Sequence, residues 1–271
     1  MSAASTKSIR SIHPFPARMA PELALESLAE LPAGSVVVDP MSGSGTVVRH
    51  ALELGHDPIG FDLDPLAVLM SSVWTAPVDS EALIEEAGEV IRESHLVNLA
   101  AEKLPWVQFC PETEQFIKYW FADRQRRALA KLAMTVHARH IAAHTQKEHA
   151  TAQALRLALS RIIVTKEAGA SLARDTSHSR PHKVAETSEY DVVKGFTRAV
   201  QQLAMRLQGS QSVRRATVTL GDARRLPLEG GAADAVVTSP PYLNAIDYMR
   251  GHRLAPVWLG HSLTDLRAIR A

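Results

Sequence analysis

The stretch Ser35-Val-Val-Val-Asp39-Pro-Met-Ser-Gly-Ser-Gly-Thr46 constrains the fold more than any other part of the chain. A short β-branched run without apolar–polar alternation reads as a strand buried on both faces, the pattern of a parallel sheet. Glycines then turn the chain, and residues 47–54 read as a helix stopped by Gly55. Pro58-Ile-Gly-Phe-Asp62 is a second short strand closing on an acid, and Asp64-Pro65 opens another helix. Strand, glycine turn, helix and strand make a βαβ unit, so the chain is expected to be α/β. Strands resume at 216–220 and 233–237. Between the two pairs, residues 80–208 are helical in character, broken near Pro105 and Pro111 and by a loop at 177–182.

Composition narrows the classes. The 271 residues are 46% hydrophobic, enough for a sizeable core. No apolar run reaches membrane-spanning length, and the N-terminus lacks the apolar centre of a signal peptide. The single cysteine, Cys110, excludes an internal disulfide framework and a cysteine-built zinc site. An intracellular protein is expected. The near-balance of 30 Lys+Arg against 29 Asp+Glu hides a local division. Residues 76–115 are acidic, whereas 124–183 carry a dense set of Lys, Arg and His with few acids. Such a basic block can neutralise phosphates of a nucleic acid; alternatively it solvates long helices and pairs with the acidic block. The histidines between His137 and His149 lack acidic neighbours at matching spacing, so no metal is expected.

Two motifs carry chemistry. The glycine turn fails the dinucleotide pattern, because Val48 occupies its third glycine position, and the phosphate-loop pattern, because no Lys follows Gly45. What remains is either a plain turn or a site for a cofactor with nucleoside and amino-acid parts but no pyrophosphate. Asp62 then accepts hydrogen bonds from ribose hydroxyls. The second motif, Val237-Thr-Ser-Pro-Pro-Tyr242, follows an apolar strand directly. Two prolines fix the backbone and remove two donors, leaving carbonyls as acceptors. Ser239 and the Pro240 carbonyl would accept from an exocyclic amine, and Tyr242 would stack on its ring, a contact worth about 1–3 kcal/mol per base.

Together, Asp39-Pro-Met-Ser-Gly-Ser-Gly-Thr46 and Ser239-Pro240-Pro241-Tyr242 resemble the amino-group DNA methyltransferases, which methylate cytosine N4 or adenine N6 with S-adenosylmethionine. Serine at the head of the tetrad is similar to the cytosine-N4 branch. The segment His13-Pro-Phe-Pro-Ala-Arg-Met-Ala-Pro-Glu-Leu23 resembles the part of the family that precedes the glycine loop. The resemblance implies a Rossmann-like methyltransferase fold interrupted by a large helical insertion. Residues 1–79 would form the first half of the core, 80–208 the insertion and candidate DNA-contacting region, and 209–271 the rest of the core. It further implies that S-adenosylmethionine is held by Phe15, Pro16, Asp39, Met41, Gly43, Gly45, Thr46, Asp62 and Asp222, the last against the adenine; Met41 stands where the family usually has Phe. Ser239, Pro240, Pro241 and Tyr242 would be the catalytic turn.

The expected function is site-specific methylation of cytosine N4 in DNA, in a bacterial restriction-modification or orphan setting, in the cytoplasm and on the nucleoid. The target base would leave the duplex, at a cost of a few kcal/mol, to enter the pocket. Methylation at cytosine C5 is disfavoured because Cys110 lies outside any suitable pocket motif. Arg174, Arg180 and Lys183, in the basic loop, and Arg250, after the tetrad, are candidate DNA contacts. The stretch 248–253 can also be read as the cap of a buried helix carrying Leu254, Val257 and Trp258. Alternatives are adenine-N6 methylation, methylation of an RNA guanine or a protein glutamine, and a non-catalytic DNA-binding subunit that keeps a methyltransferase-like site. Only four strands can be placed, and the family's sheet continues beyond the Pro-Pro-Tyr turn. A partner chain or a missing C-terminal segment is therefore expected to complete the sheet.

Overall fold

The computed structural model describes residues 11–14, 19–165, 169–174, 182–208, 214–240 and 252–269. Its centre is a parallel sheet of β1 (Val36–Asp39), β2 (Asp57–Asp62), β5 (Thr217–Leu220) and β6 (Ala235–Val236). The strands lie in the order β5-β2-β1-β6, every pairing parallel. Chain order thus runs outward from β1 to β2 and β5, then jumps back across β1 to β6. That reversal is the switch point of a Rossmann-like sheet, the place where such folds open a ligand crevice at the strands' carboxyl ends.

Helices α1 (Pro21–Ala29) and α2 (Thr46–Glu53) cover one face of the sheet. Val37 points into them, packed with Ala24, Leu28, Val47 and Ala51. Helix α3 (Pro65–Thr75) is capped by Asp64, whose side chain accepts from the Leu66 amide, with Pro65 at its first position. It is buried on nearly every side because β2 and β5 lie on one flank and α8 on another.

The stretch expected to be helical contains α4 (Ser80–Leu96), α5 (Pro105–Gln108), α6 (Pro111–Trp120), α7 (Asp123–Ala142), α8 (Gln146–Arg161) and α9 (Val192–Leu207). These pack with α3 around one large apolar cluster that includes Met70, Leu132, Leu157, Phe196 and Leu203. The loop expected around 173–183 is bracketed by short strands β3 (Ala173–Arg174) and β4 (His182–Lys183), paired antiparallel. After residue 251 the chain forms a 3-10 turn (Pro256–Trp258) and α10 (Leu263–Ala268). Leu254, Val257 and Trp258 sink into the large cluster, and the Trp258 ring meets Phe121 edge-on with centroids 5.1 Å apart. No helix among the described residues is long and apolar enough to cross a membrane.

The charge division resolves partly into ion pairs. Arg139 of α7 reaches both Glu86 and Glu93 of α4, each at 2.6 Å, and Lys147 lies 3.4 Å from Asp79. Part of the basic block is therefore matched to the acidic one.

Candidate active site at the carboxyl end of the sheet

Both acid-terminated strands expected from the sequence end side by side, with Asp39 opposite Gly60 and Asp62 two residues further on. Between β1 and α2 the glycine turn folds tightly: the Gly45 amide donates to the Ser42 carbonyl at 2.8 Å, and the Ser42 amide to that of Phe61, also at 2.8 Å. Gly43 and Gly45 both take positive φ, +51° and +88°. At Gly45 a side chain is excluded twice over. The backbone conformation is left-handed, and an added Cβ would lie 2.8 Å from the Ser71 Cα and 2.5 Å from its Oγ. Glycine here lets the turn rest directly on α3. Gly45 also caps α2 without a side-chain hydrogen bond.

Asp62 faces the turn. Its Oδ2 accepts from the Gly43 amide at 2.8 Å and its Oδ1 from the Asp64 amide at 2.9 Å. Burial raises its pKa, against the pull of those two hydrogen bonds. Each oxygen keeps a second lone pair, and the residue is half-buried, so it can still accept from a diol. Asp39 is buried, and burial pushes its carboxyl up to about 6 despite hydrogen bonds from Thr238 and the Met41 amide. Those bonds, at 2.7 and 3.2 Å, both fall on Oδ1.

The Thr238 contact joins the two motifs. Thr238 follows β6, so the hydrogen bond from its Oγ1 to Asp39 sets the start of the Ser239-Pro240 turn against the glycine turn. Ser239 and Pro240 are exposed there. Pro241, Tyr242, Phe15, Pro16, Arg180 and Arg250 lie outside the described residues. Thr238 and Asp64 were missed as site residues by the sequence reading. A hydroxyl directly ahead of the tetrad was the available signal for the first; the second was visible only as a helix cap.

The other candidates are held by local partners. Asp222, beyond β5, is gripped by Arg224 through Nε and Nη2, the latter at 2.6 Å, which holds its carboxyl down to about 2. The Gly221 amide before it donates to the Asp62 carbonyl at 3.0 Å, which keeps this loop beside the site. Arg174 donates to the carbonyls of Ser171 and Ala173. Lys183 pairs with Glu186 at 2.5 Å and lies 5.2 Å from the Tyr119 ring centroid.

The chemistry of the donor set tests which cofactor fits. From Asp39 to Val48 there is no lysine or arginine, and the carboxylates of Asp39 and Asp62 end the adjacent strands β1 and β2. A pyrophosphate would meet repulsion here, whereas a ribose diol and a cationic group would meet acceptors. S-adenosylmethionine, with a ribose, an ammonium and a sulfonium, fits these residues.

No protein-family model and no solved structure matches the chain. Among curated proteins, the Type II methyltransferase M.MjaII of Methanocaldococcus jannaschii is 32% identical over 79 residues. The aligned stretch is 29% of this chain and only 15% of that protein. The likeness is local, and this chain spans only a small part of that protein's length.

Proposed function

We propose that the chain transfers a methyl group from S-adenosylmethionine to the exocyclic N4 amine of cytosine in DNA. The observation that supports this reading is the Thr238–Asp39 hydrogen bond, which sets Ser239 and Pro240 beside the glycine turn. S-adenosylmethionine supplies an electrophilic methyl group. The chain's part is orientation. Asp62 binds the ribose, Asp39 offers negative charge to the cationic portion, and the loop at Asp222 borders the adenine. Phe15, Pro16, Met41 and Thr46 complete the cofactor's surroundings.

Acceptors at Ser239 and the Pro240 carbonyl would favour a pyramidal amine, whose lone pair would attack the methyl carbon as its bond to sulfur breaks. S-adenosylhomocysteine leaves, and the amine's surplus proton passes to solvent. Pro241 stiffens the turn and Tyr242 stacks on the extruded base. Holding amine and methyl in line makes this a problem of proximity and fixed dipoles, with no covalent enzyme intermediate.

In this reading residues 80–208 form the DNA-contacting insertion, with Arg174, Arg180, Lys183 and Arg250 on phosphates. Lys183 would exchange Glu186, which is 84% exposed, for a phosphate; surface pairs of that kind are worth about 1 kcal/mol or less, so the exchange is cheap. A partner chain or further segment would cover the outer edge of β6, where Val236 is 64% exposed.

The test is to incubate the protein with DNA and S-adenosylmethionine carrying a labelled methyl group, then identify the nucleosides by mass spectrometry. N4-methylcytosine is expected, and Tyr242→Ala should abolish it while sparing cofactor binding. N6-methyladenine would shift the substrate to adenine. DNA binding without any cofactor binding in calorimetry would leave a non-catalytic DNA-binding subunit.

A further inference from the structure

Of the acids Asp39, Asp62 and Asp222, the last differs in what holds it. Among the described residues, Asp62 accepts one backbone amide on each oxygen, and Asp39 takes both of its bonds on Oδ1. Each therefore keeps lone pairs for a ligand. Asp222 has both oxygens doubly engaged. Its Oδ1 accepts from the Arg224 amide at 2.9 Å and from Arg224 Nε at 3.0 Å. Its Oδ2 accepts from the same Nε at 2.9 Å and from Nη2 at 2.6 Å. A carboxylate offers about four lone-pair sites, and one arginine addresses them all.

The local chain builds this grip. The Arg225 amide donates to the Asp222 carbonyl at 2.9 Å, closing a tight turn that carries Arg224 back over the carboxylate. The turn is itself fixed in place beside β2. Gly221 is bonded to the Asp62 carbonyl, and an added Cβ there would lie 2.8 Å from Phe61 Cδ1. Only glycine lets the end of β5 come so close. Asp222 thus leaves the sheet directly beside the strand that ends in Asp62.

A neutral exocyclic amine donates more weakly than a charged guanidinium. With every lone pair of Asp222 engaged, the amine has no acceptor until the arginine swings away. The swing costs little, because Arg224 is 79% exposed and an exposed ion pair is weak in water.

We propose that Arg224 is a specificity-determining residue that gates Asp222, holding the carboxylate closed until a purine with an exocyclic amine takes its place. The inference rests on the methyltransferase reading above and deepens it by naming what the adenine displaces. Binding through Asp222 draws only on molecules in which the pair is open, so apparent affinity falls in proportion to that fraction. A purine with a carbonyl in place of the amine would set oxygen against the carboxylate and gains nothing from the open form.

The experiment is calorimetry on the full chain with two ligands, S-adenosylhomocysteine and S-inosylhomocysteine, in which a carbonyl replaces the exocyclic amine. Arg224→Ala should bind S-adenosylhomocysteine about two- to fivefold more tightly than wild type at low salt, the range that an exposed pair can supply. Added salt should narrow that gap, since only the wild type has an ion pair to screen. S-inosylhomocysteine should bind Arg224→Ala no more tightly than wild type. Arg224→Lys, which keeps the charge but loses the planar fork, should lie between the two proteins. If Arg224→Ala binds S-adenosylhomocysteine with unchanged or lower affinity, or tightens on both ligands alike, the gate is wrong and the methyltransferase reading stands. If neither wild type nor Arg224→Ala binds S-adenosylhomocysteine, both fall together.

Discussion

The carboxyl end of the sheet and the helical layer behind it are built on opposite terms. In the helical layer, leucines and aromatics from α3, α7, α8 and α9 close into one large cluster, and its outer charges find partners, as Arg139 does with Glu86 and Glu93. At the sheet end the cluster on β1 is small, made of alanines, valines and one leucine. Beside it the hydroxyls of Ser42, Ser44, Thr46 and Ser71 are buried without hydrogen-bond partners among the described residues. A buried unpaired hydroxyl costs stability, on the order of 1–3 kcal/mol. Unpartnered polar atoms occur in the helical layer too, at Gln125 Oε1 and Trp258 Nε1. The four hydroxyls, however, gather at the glycine turn and the helix it rests on, where a ligand that approaches closely could partner them.

Four substitutions bear on that contrast. Leu157→Ala, at a fully buried position in the helical layer, should lower unfolding free energy by about 2–5 kcal/mol in urea titrations. Cofactor affinity of the folded fraction should hardly change. An affinity loss as large as the stability loss would mean that the two regions are not separable.

Gly45→Ala should do the reverse. Positive φ and the 2.8 Å approach to Ser71 Cα cannot both be kept with a Cβ, at a strain of up to about 3 kcal/mol. Binding of S-adenosylhomocysteine should weaken roughly 100-fold in calorimetry, with the helical circular-dichroism signal retained.

The third test uses pH. Asp39 titrates near 6 in the folded chain against an ordinary 3.8. The folded state holds the proton more tightly, so this contribution is present below pH 3.8 and is lost as pH rises through about 6. Its size is roughly 2–3 kcal/mol. His13 runs the other way. Burial pushes it from 6.5 down to about 3, so its contribution is present above 6.5 and is lost as pH falls towards about 3. The two slopes oppose each other between pH 4 and 6. Asp39→Asn removes one, so thermal denaturation should show that variant losing more stability than wild type on acidification across this window. Parallel profiles would show that Asp39 is not the raised group.

The smallest effect belongs to Arg139→Ala. Its guanidinium is 34% exposed, so loss of both ion pairs should cost about 1 kcal/mol or less and shrink with added salt.

Local features of this molecule were legible in its sequence, and long-range ones were not. The helix expected over 47–54 is α2, Thr46–Glu53, and the strand expected from Pro58 to Asp62 is β2, Asp57–Asp62. Buried β-branched runs and glycine stops act within a few residues of themselves, which is why they can be read. The acids at the strand ends were legible for the same reason. The partner of Asp39 was not, since Thr238 carries no local mark of the residue it meets. Nor could the sequence tell that Arg139 would straddle two glutamates, because the register of α7 on α4 is decided by packing. The antiparallel pairing of β3 with β4 was hidden by strands of only two residues each.

The Thr238–Asp39 contact joins residues 199 positions apart in the chain. Closure over so long a separation is slow and comes after local helices have formed. On a ribosome, β1 and its glycine turn would wait for β6 until the long stretch between them had followed. The crevice is therefore among the last features to be assembled. A ligand that binds it selects chains that have finished folding, which would make cofactor binding a sensitive reporter of native yield.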